Sequence, residues 1–411
     1  MNTKRYPWIV VGLLWVVALL NYMDRQMLST MKPSMQVDIA ELQSATNFGY
    51  LMAVFLWIYG LMSPVSGIIA DRMNRKWLIV VSLFVWSAVT FMMGYATSFQ
   101  QLYWLRAVMG VSEALYIPAG LSLIADYHSD KTRSLAIGIH MTGLYMGQAL
   151  GGFGATIAGK YSWQETFHSF GLIGVVYAVI LTFFLKEYKR PALSANDLLK
   201  QATGKPSLFK GLTVLLTNIS FWVILLYFAI PSLPGWGVKN WLPTLFSENL
   251  KIDMATAGPL STITIAASSF VGVIFGGVLS DRWVQKNIRG RVYTSAIGIA
   301  LTIPALLFIG FGDSLVSVIG SALCFGFGFG MFDANNMPLV CQFVQPQYRA
   351  TAYGLMNMTG VFAGAFITDL LGKSTDQGNL GKDFAMLSVV VLAALIVQLS
   401  MLRPKADAAQ S

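Results

Sequence analysis

Runs of about 20 apolar residues recur along the whole 411-residue chain, and that recurrence leaves few folds open. A hydrocarbon core ~30 Å thick takes about 20 helical residues to cross, and in lipid each segment must bond its own backbone polar groups. Hydrophobic residues make up 55% and charged ones 11%, far from the roughly 25% charged of a soluble domain. The reading is an all-α membrane protein. Twelve spans are predicted, over 8–30, 46–70, 77–96, 100–125, 134–158, 166–186, 217–246, 256–280, 291–311, 314–341, 349–372 and 383–402. The longest polar interval, Lys186 to Lys210 with Pro191, Ser194, Asn196, Asp197 and Gly204, divides them six and six. The expected organisation is a six-helix bundle over 1–186, a linker over 187–216 and a second, pseudo-symmetric six-helix bundle over 217–411.

Gly67-Ile-Ile-Ala-Asp71-Arg72-Met-Asn-Arg75-Lys76 is wedged between two apolar runs, and Gly277-Val-Leu-Ser-Asp281-Arg282 repeats its first half 210 residues later. An isolated Asp-Arg-x-x-Arg is a solvated turn. Recurrence at half the chain length, each time between apolar segments, points to duplication instead. The first copy resembles the loop between helices 2 and 3 of the major facilitator superfamily, G-x-x-x-D-R-x-x-R-[KR], at every fixed position; the second departs, with Gln285 and Lys286 where Arg-Lys would stand. In such a transporter two six-helix halves rock about a site near the bilayer midplane. Asp71, Arg72, Arg75, Asp281 and Arg282 are then the expected conformational gate, latching the halves on the cytoplasmic side in the outward-open state. Surface ion pairs of about 0–1 kcal/mol suit contacts that break in each cycle.

The net charge of +9 could suggest nucleic acid, but its distribution argues otherwise. Of 28 Lys and Arg, 20 fall on predicted cytoplasmic segments. That is the positive-inside bias, and it predicts a multi-pass protein of a bacterial inner membrane with both termini cytoplasmic, touching anionic lipid rather than nucleic acid. Lys4 and Arg5 precede an apolar run without a small-residue cleavage site, so helix 1 is expected to be retained. Cys324 and Cys341 lie 17 residues apart on one predicted helix, about 25 Å and beyond disulfide reach. Gly372-Lys373-Ser374 lacks the first glycine of a phosphate-binding loop, its place taken by Ile367. His128, His140 and His168 have no metal-ligand spacing. No enzyme, metal or cofactor is expected.

A charge near the bilayer centre costs roughly 2.5–3.5 kcal/mol and marks a functional position. Helix 1 carries Asn21-Tyr22-Met23-Asp24-Arg25, and helix 4 carries Arg106 through Gly110 to Glu113. At 3.6 residues per turn Arg106 and Glu113 share nearly one face, as do Asn21 and Arg25, with Asp24 about 100° round from Arg25. Small Gly110 admits a close neighbour, helix or ligand. The four charges have two readings. They neutralise each other as buried pairs, or protonation of a carboxylate frees a guanidinium to grip an anionic ligand bidentately.

Asn-Tyr-x-Asp-Arg on helix 1, Arg-x6-Glu on helix 4 and Asn240-Trp241-Leu-Pro243-Thr on helix 7 together resemble the anion:cation symporter branch of the superfamily, which includes hexuronate, galactonate, sialic acid and vesicular glutamate carriers. The resemblance implies proton coupling at Asp24 and Glu113 and substrate binding at Arg25 and Arg106; Ser112 departs from the usual Gly before the Glu. Spinster-like lysolipid transporters resemble the chain too, through Asn-Tyr-Met-Asp-Arg and Arg-x6-Glu-Ala. The amides after Asp333, Asn335 and Asn336, with Asn357 on helix 11, tip the reading toward a hydroxylated acid, although Asn also serves as interhelical glue. Tyr145 and Trp241 are aromatic candidates for the substrate site. Gly143-x-x-x-Gly147-Gln148-x-x-Gly151-Gly152 on helix 5 is a close-packing stripe, with Gln148 where drug antiporters carry Pro, which favours uptake. The expectation is a monomeric importer of a small sugar acid, coupled to protons with sodium left open. A lysolipid carrier is the alternative, and a non-transporting sensor or scaffold a remote third.

Overall fold

The computed structural model describes residues 5–129, 132–188, 208–345 and 348–402; the side chains of a few helical residues, Asp71 and Arg72 among them, lie outside the described part, as does most of the predicted linker. The described residues are helical throughout their ordered elements. The first half holds α1 (Tyr6–Asp38), α2 (Ala45–Arg72), α3 (Arg75–Met93), α4 (Phe99–Ala114 with Tyr116–Tyr127), α5 (Arg133–Gly151 with Gly154–Lys160) and α6 (Trp163–Phe184). After a short helix, Leu208–Leu216, the second holds α7 (Ile219–Leu250), α8 (Met254–Val284), α9 (Gly290–Phe311), α10 (Leu315–Asp333 with Asn336–Phe343), α11 (Arg349–Asp376) and α12 (Leu380–Met401). Eleven of these twelve are long and apolar enough to cross a membrane. The remaining one, α5, carries His140 and Gln148 and is interrupted at Gly152-Phe153.

Two features differ from the predicted spans. Helix α1 runs to Asp38 rather than stopping at residue 30, straight through Pro33. Proline lacks the N–H that would bond Ser29 O four residues back, so the helix continues past Pro33 with one ladder bond fewer. Helices α4 and α10 are each broken part-way along their length. The joint in α4 is a tightened turn in which Leu115 N donates to Ser112 O at 3.3 Å, and that in α10 has Asn335 N on Phe332 O at 3.0 Å. Such short 3₁₀ stretches are common at functional positions.

The helix-5 glycines set the packing of the first half, as their spacing suggested. A Cβ at Gly143 would stand 2.6 Å from Trp15 O, and one at Gly151 would stand 2.8 Å from Met23 O, so α1 and α5 meet backbone to backbone. Gly110 plays the same part for α4 on α2, where a Cβ would stand 2.8 Å from Phe55 O. The close neighbour is a helix.

The halves join through α2 on α11 and α5 on α8. At the end bearing the α1–α2 and α11–α12 turns, the Asp376 carboxylate accepts from Ser44 Oγ, Ala45 N and Thr46 N at 2.7, 2.7 and 2.9 Å, capping α2 from the opposite half. Thr156 donates to Ala255 O at 2.9 Å and Thr262 to Ala149 O at 3.1 Å. This turn-bearing end is closed.

Candidate functional site

The charges singled out in α1 and α4 do converge, but only one pair closes. Arg25 Nε donates to Glu113 Oε2 at 2.6 Å, and Asn21 Nδ2 donates to the same oxygen at 2.9 Å. The shared face of Asn21 and Arg25 is therefore the face that meets α4. The Arg25 guanidinium lies between the rings of Tyr22, Phe55 and Tyr59, with its carbon 5.1, 4.8 and 4.7 Å from their centroids. Asp24, turned to another face, reaches only Thr90 Oγ1 at 3.5 Å, and Arg106 lies over Phe55 at 4.5 Å with one nitrogen on Met109 Sδ at 3.1 Å. Both are buried, at 5% and 3% exposure, and neither forms an ion pair among the described residues. One oxygen each of Asp24 and Glu113 and one nitrogen each of Arg25 and Arg106 are also without a partner. Buried charge left unpaired is costly. Mutual neutralisation thus accounts for two of the four charges.

Between the halves lies a small cavity of about 60 Å³, walled by Tyr22, Tyr145 and Gln148 from the first half and by Lys239, Ser269 and Asp333 from the second, with Leu144, Ile265, Phe325 and Phe329 supplying apolar surface. Tyr145, on α5, is in that wall and packs edge-on to Phe270 of α8 at 6.1 Å. Asn336 stands beside it, donating to Asp333 Oδ1 at 2.9 Å while its own oxygen faces Tyr227 OH at 3.5 Å.

Other predicted residues are placed elsewhere. Trp241 is fully buried near the closed end, its Nε1 donating to Thr368 O at 3.0 Å and its ring against Phe48 of the first half. Asn335 donates to Met331 O at 2.9 Å within its own helix. Asn357 bridges the halves, Nδ2 to Ser63 Oγ at 3.4 Å. Among the gate residues, Arg75 pairs with Asp126 and also reaches Ser122 O at 3.2 Å, while Asp281 pairs with Arg291 at 3.3 Å. Both pairs stay within one half. Arg282 is exposed, and the side chains of Asp71 and Arg72 lie outside the described residues.

Lys239 was not legible as a site residue. It stands seven residues before the predicted outer end of its span and belongs to no motif, so it reads as a charge at a helix end. In the fold its Nζ lies 4.9 Å from the Trp236 ring and 6.0 Å from that of Phe329, in the cavity wall. Its backbone carbonyl accepts from Gln26 across the halves at 2.9 Å. The signal that could have found it is positional. Lys239 is twenty residues into α7, counted from Ile219, and Arg25 is nineteen into α1, counted from Tyr6.

Known proteins share this architecture. The chain is 24% identical over 396 residues to the D-galactonate transporter of Escherichia coli O6:H1, covering 85% of this chain and 90% of that one. It is also 24% identical over 428 residues to the sphingosine-1-phosphate transporter SPNS2 of Xenopus tropicalis, covering 97% and 81%. A bacterial homolog of the human lysosomal transporter Spinster, solved in an inward-facing and occupied conformation, superposes with a TM-score of 0.79 at 19% identity over 98% of both chains. Residues 14–368 match the Major Facilitator Superfamily, and with twelve helices in two six-helix bundles around a central cavity the chain belongs to that superfamily of membrane transporters.

Proposed function

We propose that the protein is a proton-coupled symporter that imports a small organic anion of the sugar-acid class. The observation that carries this reading is the buried Arg25–Glu113 contact at 2.6 Å beside an unpartnered Asp24 and Arg106. An anion entering this site needs a guanidinium, and Arg25 is held by Glu113. Protonating Glu113 loosens that pair, so the substrate carboxylate can take the guanidinium bidentately; Asp24 offers a second proton position within the same cluster. Binding of anion and proton is then linked through shared groups rather than through distance. The likeness to a D-galactonate transporter supports the substrate class. The protein acts as a monomer in a bacterial inner membrane with both termini cytoplasmic, so the closed end faces out and the structure is inward-facing. In the outward-facing state the loops at Asp71-Arg72-Arg75 and Asp281-Arg282 take over the closure.

Proteoliposomes loaded with D-galactonate test this. Asp24→Asn and Glu113→Gln, which mimic the protonated groups, are expected to keep anion exchange and to lose accumulation driven by an imposed pH gradient. Accumulation retained in both variants, or driven by sodium at constant pH, sinks the proton assignment.

The apolar wall of Leu144, Ile265, Phe325 and Phe329, with the likeness to a sphingosine-1-phosphate transporter, favours a second reading as a lysolipid carrier. Competition in the same vesicles separates the two. A sugar-acid site loses about tenfold when a substrate hydroxyl is removed, since the group it bonded is left unpaired at roughly 1–3 kcal/mol. A lipid site gains around 0.8 kcal/mol per added methylene.

A further inference from the structure

The cation–carboxylate pair of the first half has a counterpart in the second. Arg25 and Lys239 stand nineteen and twenty residues into the first helix of their halves. Glu113 and Asp333 stand at the break in the fourth helix of their halves: Glu113 is the last residue but one of Phe99–Ala114, and Asp333 ends Leu315–Asp333. Duplication has placed a cation in the first helix and a carboxylate at the break of the fourth helix, twice. The two copies differ in state. The first is closed and buried, with Glu113 fully inaccessible. The second is open: no acidic oxygen among the described residues lies within 4.0 Å of Lys239 Nζ, and both Lys239 and Asp333 line the cavity. Asp333 is solvent-exposed there, Lys239 half-buried against aromatic rings. Neither Arg25 nor Arg106 belongs to that wall.

We propose that Lys239 is the residue of the second half that receives the acid group of the substrate, a carboxylate or a phosphate monoester, and that Asp333 is its built-in counter-ion, holding the ammonium's charge when the cavity is empty. This rests on the reading of the protein as an anion carrier. A ligand bridging Lys239 to the first half would tie the two bundles together through charge, and the open pair is what gives it room. Lys239 suits this task as a point charge on a flexible stem, whereas the fixed fork of Arg25 suits a bidentate partner.

The test reads the charge of the cavity without any substrate. In a background with Cys324→Ser and Cys341→Ser, the single reporter Ser269→Cys places a thiol in the cavity wall. The rate of its modification is compared for an anionic reagent, methanethiosulfonate ethylsulfonate, and a cationic one, methanethiosulfonate ethyltrimethylammonium. A cleft charge focuses small ions of opposite sign, with rate effects of about tenfold and upward. Lys239→Met should lower the anion-to-cation rate ratio at least about tenfold, Lys239→Arg should hold it, and Asp333→Asn should raise it. A ratio that moves less than about twofold in Lys239→Met overturns the proposal.

A second arm uses D-galactonate and lysophosphatidate as probes in thermal-shift titrations of the same variants. Whichever probe stabilises the parent should bind at least about tenfold more weakly to Lys239→Met and no more weakly to Asp333→Asn. Unchanged binding to Lys239→Met overturns the proposal while leaving the carrier reading intact. A shifted labelling ratio in a protein that only lysophosphatidate stabilises supports Lys239 as the anion receptor and removes the sugar-acid reading.

Discussion

At the scale of single residues, Arg25 and Arg106 look alike in the sequence and differ in the structure. Arg25 is the partner of a carboxylate with no exposure, so Arg25→Ala strands Glu113; breaking a buried pair from one side costs about 3–5 kcal/mol. Arg106 has no ion-pair partner to strand among the described residues, and Arg106→Met removes the buried charge that lies over Phe55 while leaving an unbranched side chain in its place. Thermal unfolding in detergent should show Arg25→Ala strongly destabilised and Arg106→Met at or above the parent, with both losing anion uptake. Equal melting temperatures for the two would mean that the Arg25–Glu113 pair contributes nothing to the fold. The grouping of Asn21, Arg25 and Glu113 was legible because helical spacing alone puts the first two on one face and the charge of the third demands a partner. The role of Asn335 and Trp241 was not, because a buried amide or indole bonds whichever carbonyl the tertiary fold brings near, here Met331 O and Thr368 O. No local pattern encodes that choice.

Among the elements, α5 shows what spacing can and cannot say. The small residues four apart predicted a close crossing, and α1 is the helix that crosses, but the stripe names no partner. Gly143 and Gly138 separate the packing role from mere glycine flexibility, since both lie in α5 and only Gly143 has backbone within reach of an added Cβ. Gly143→Ala should cost roughly 1–3 kcal/mol by overpacking, read as a lower melting temperature. Gly138→Ala, with nothing within 4 Å, should be neutral or slightly stabilising, because alanine is the better helix former. A neutral Gly143→Ala would show that α1 and α5 slide apart freely. The breaks in α4 and α10, by contrast, have a local cause that the sequence shows: Pro118 and Pro338 stand four residues past Ala114 and Ala334, and a proline neither bonds nor tolerates the carbonyl four residues before it.

For the molecule as a whole, the repeated Gly-x-x-x-Asp-Arg announced two halves, while the contact that shuts one end joins residues more than 300 positions apart and left no trace in the sequence. Asp376 of α11 caps α2 with three hydrogen bonds from Ser44, Ala45 and Thr46. A carboxylate at a helix N-terminus is favoured by both the orphan N–H groups and the helix dipole, yet this one belongs to the opposite half, so it can act only while the end is closed. Loss of a helix cap is worth about 0.5–2 kcal/mol. Asp376→Asn should therefore shift the balance toward opening at this end by about fivefold, at roughly 1 kcal/mol, without unfolding either half. Spin labels at Glu41 and Lys382, beside the two turns, would report a larger long-distance population in double electron–electron resonance. The shift should be absent from Asp281→Asn, whose partner Arg291 lies in its own half. A distance distribution unchanged by Asp376→Asn would mean that the apolar meeting of Gly49 with Gly372 and of Gly152 with Gly258 closes this end alone.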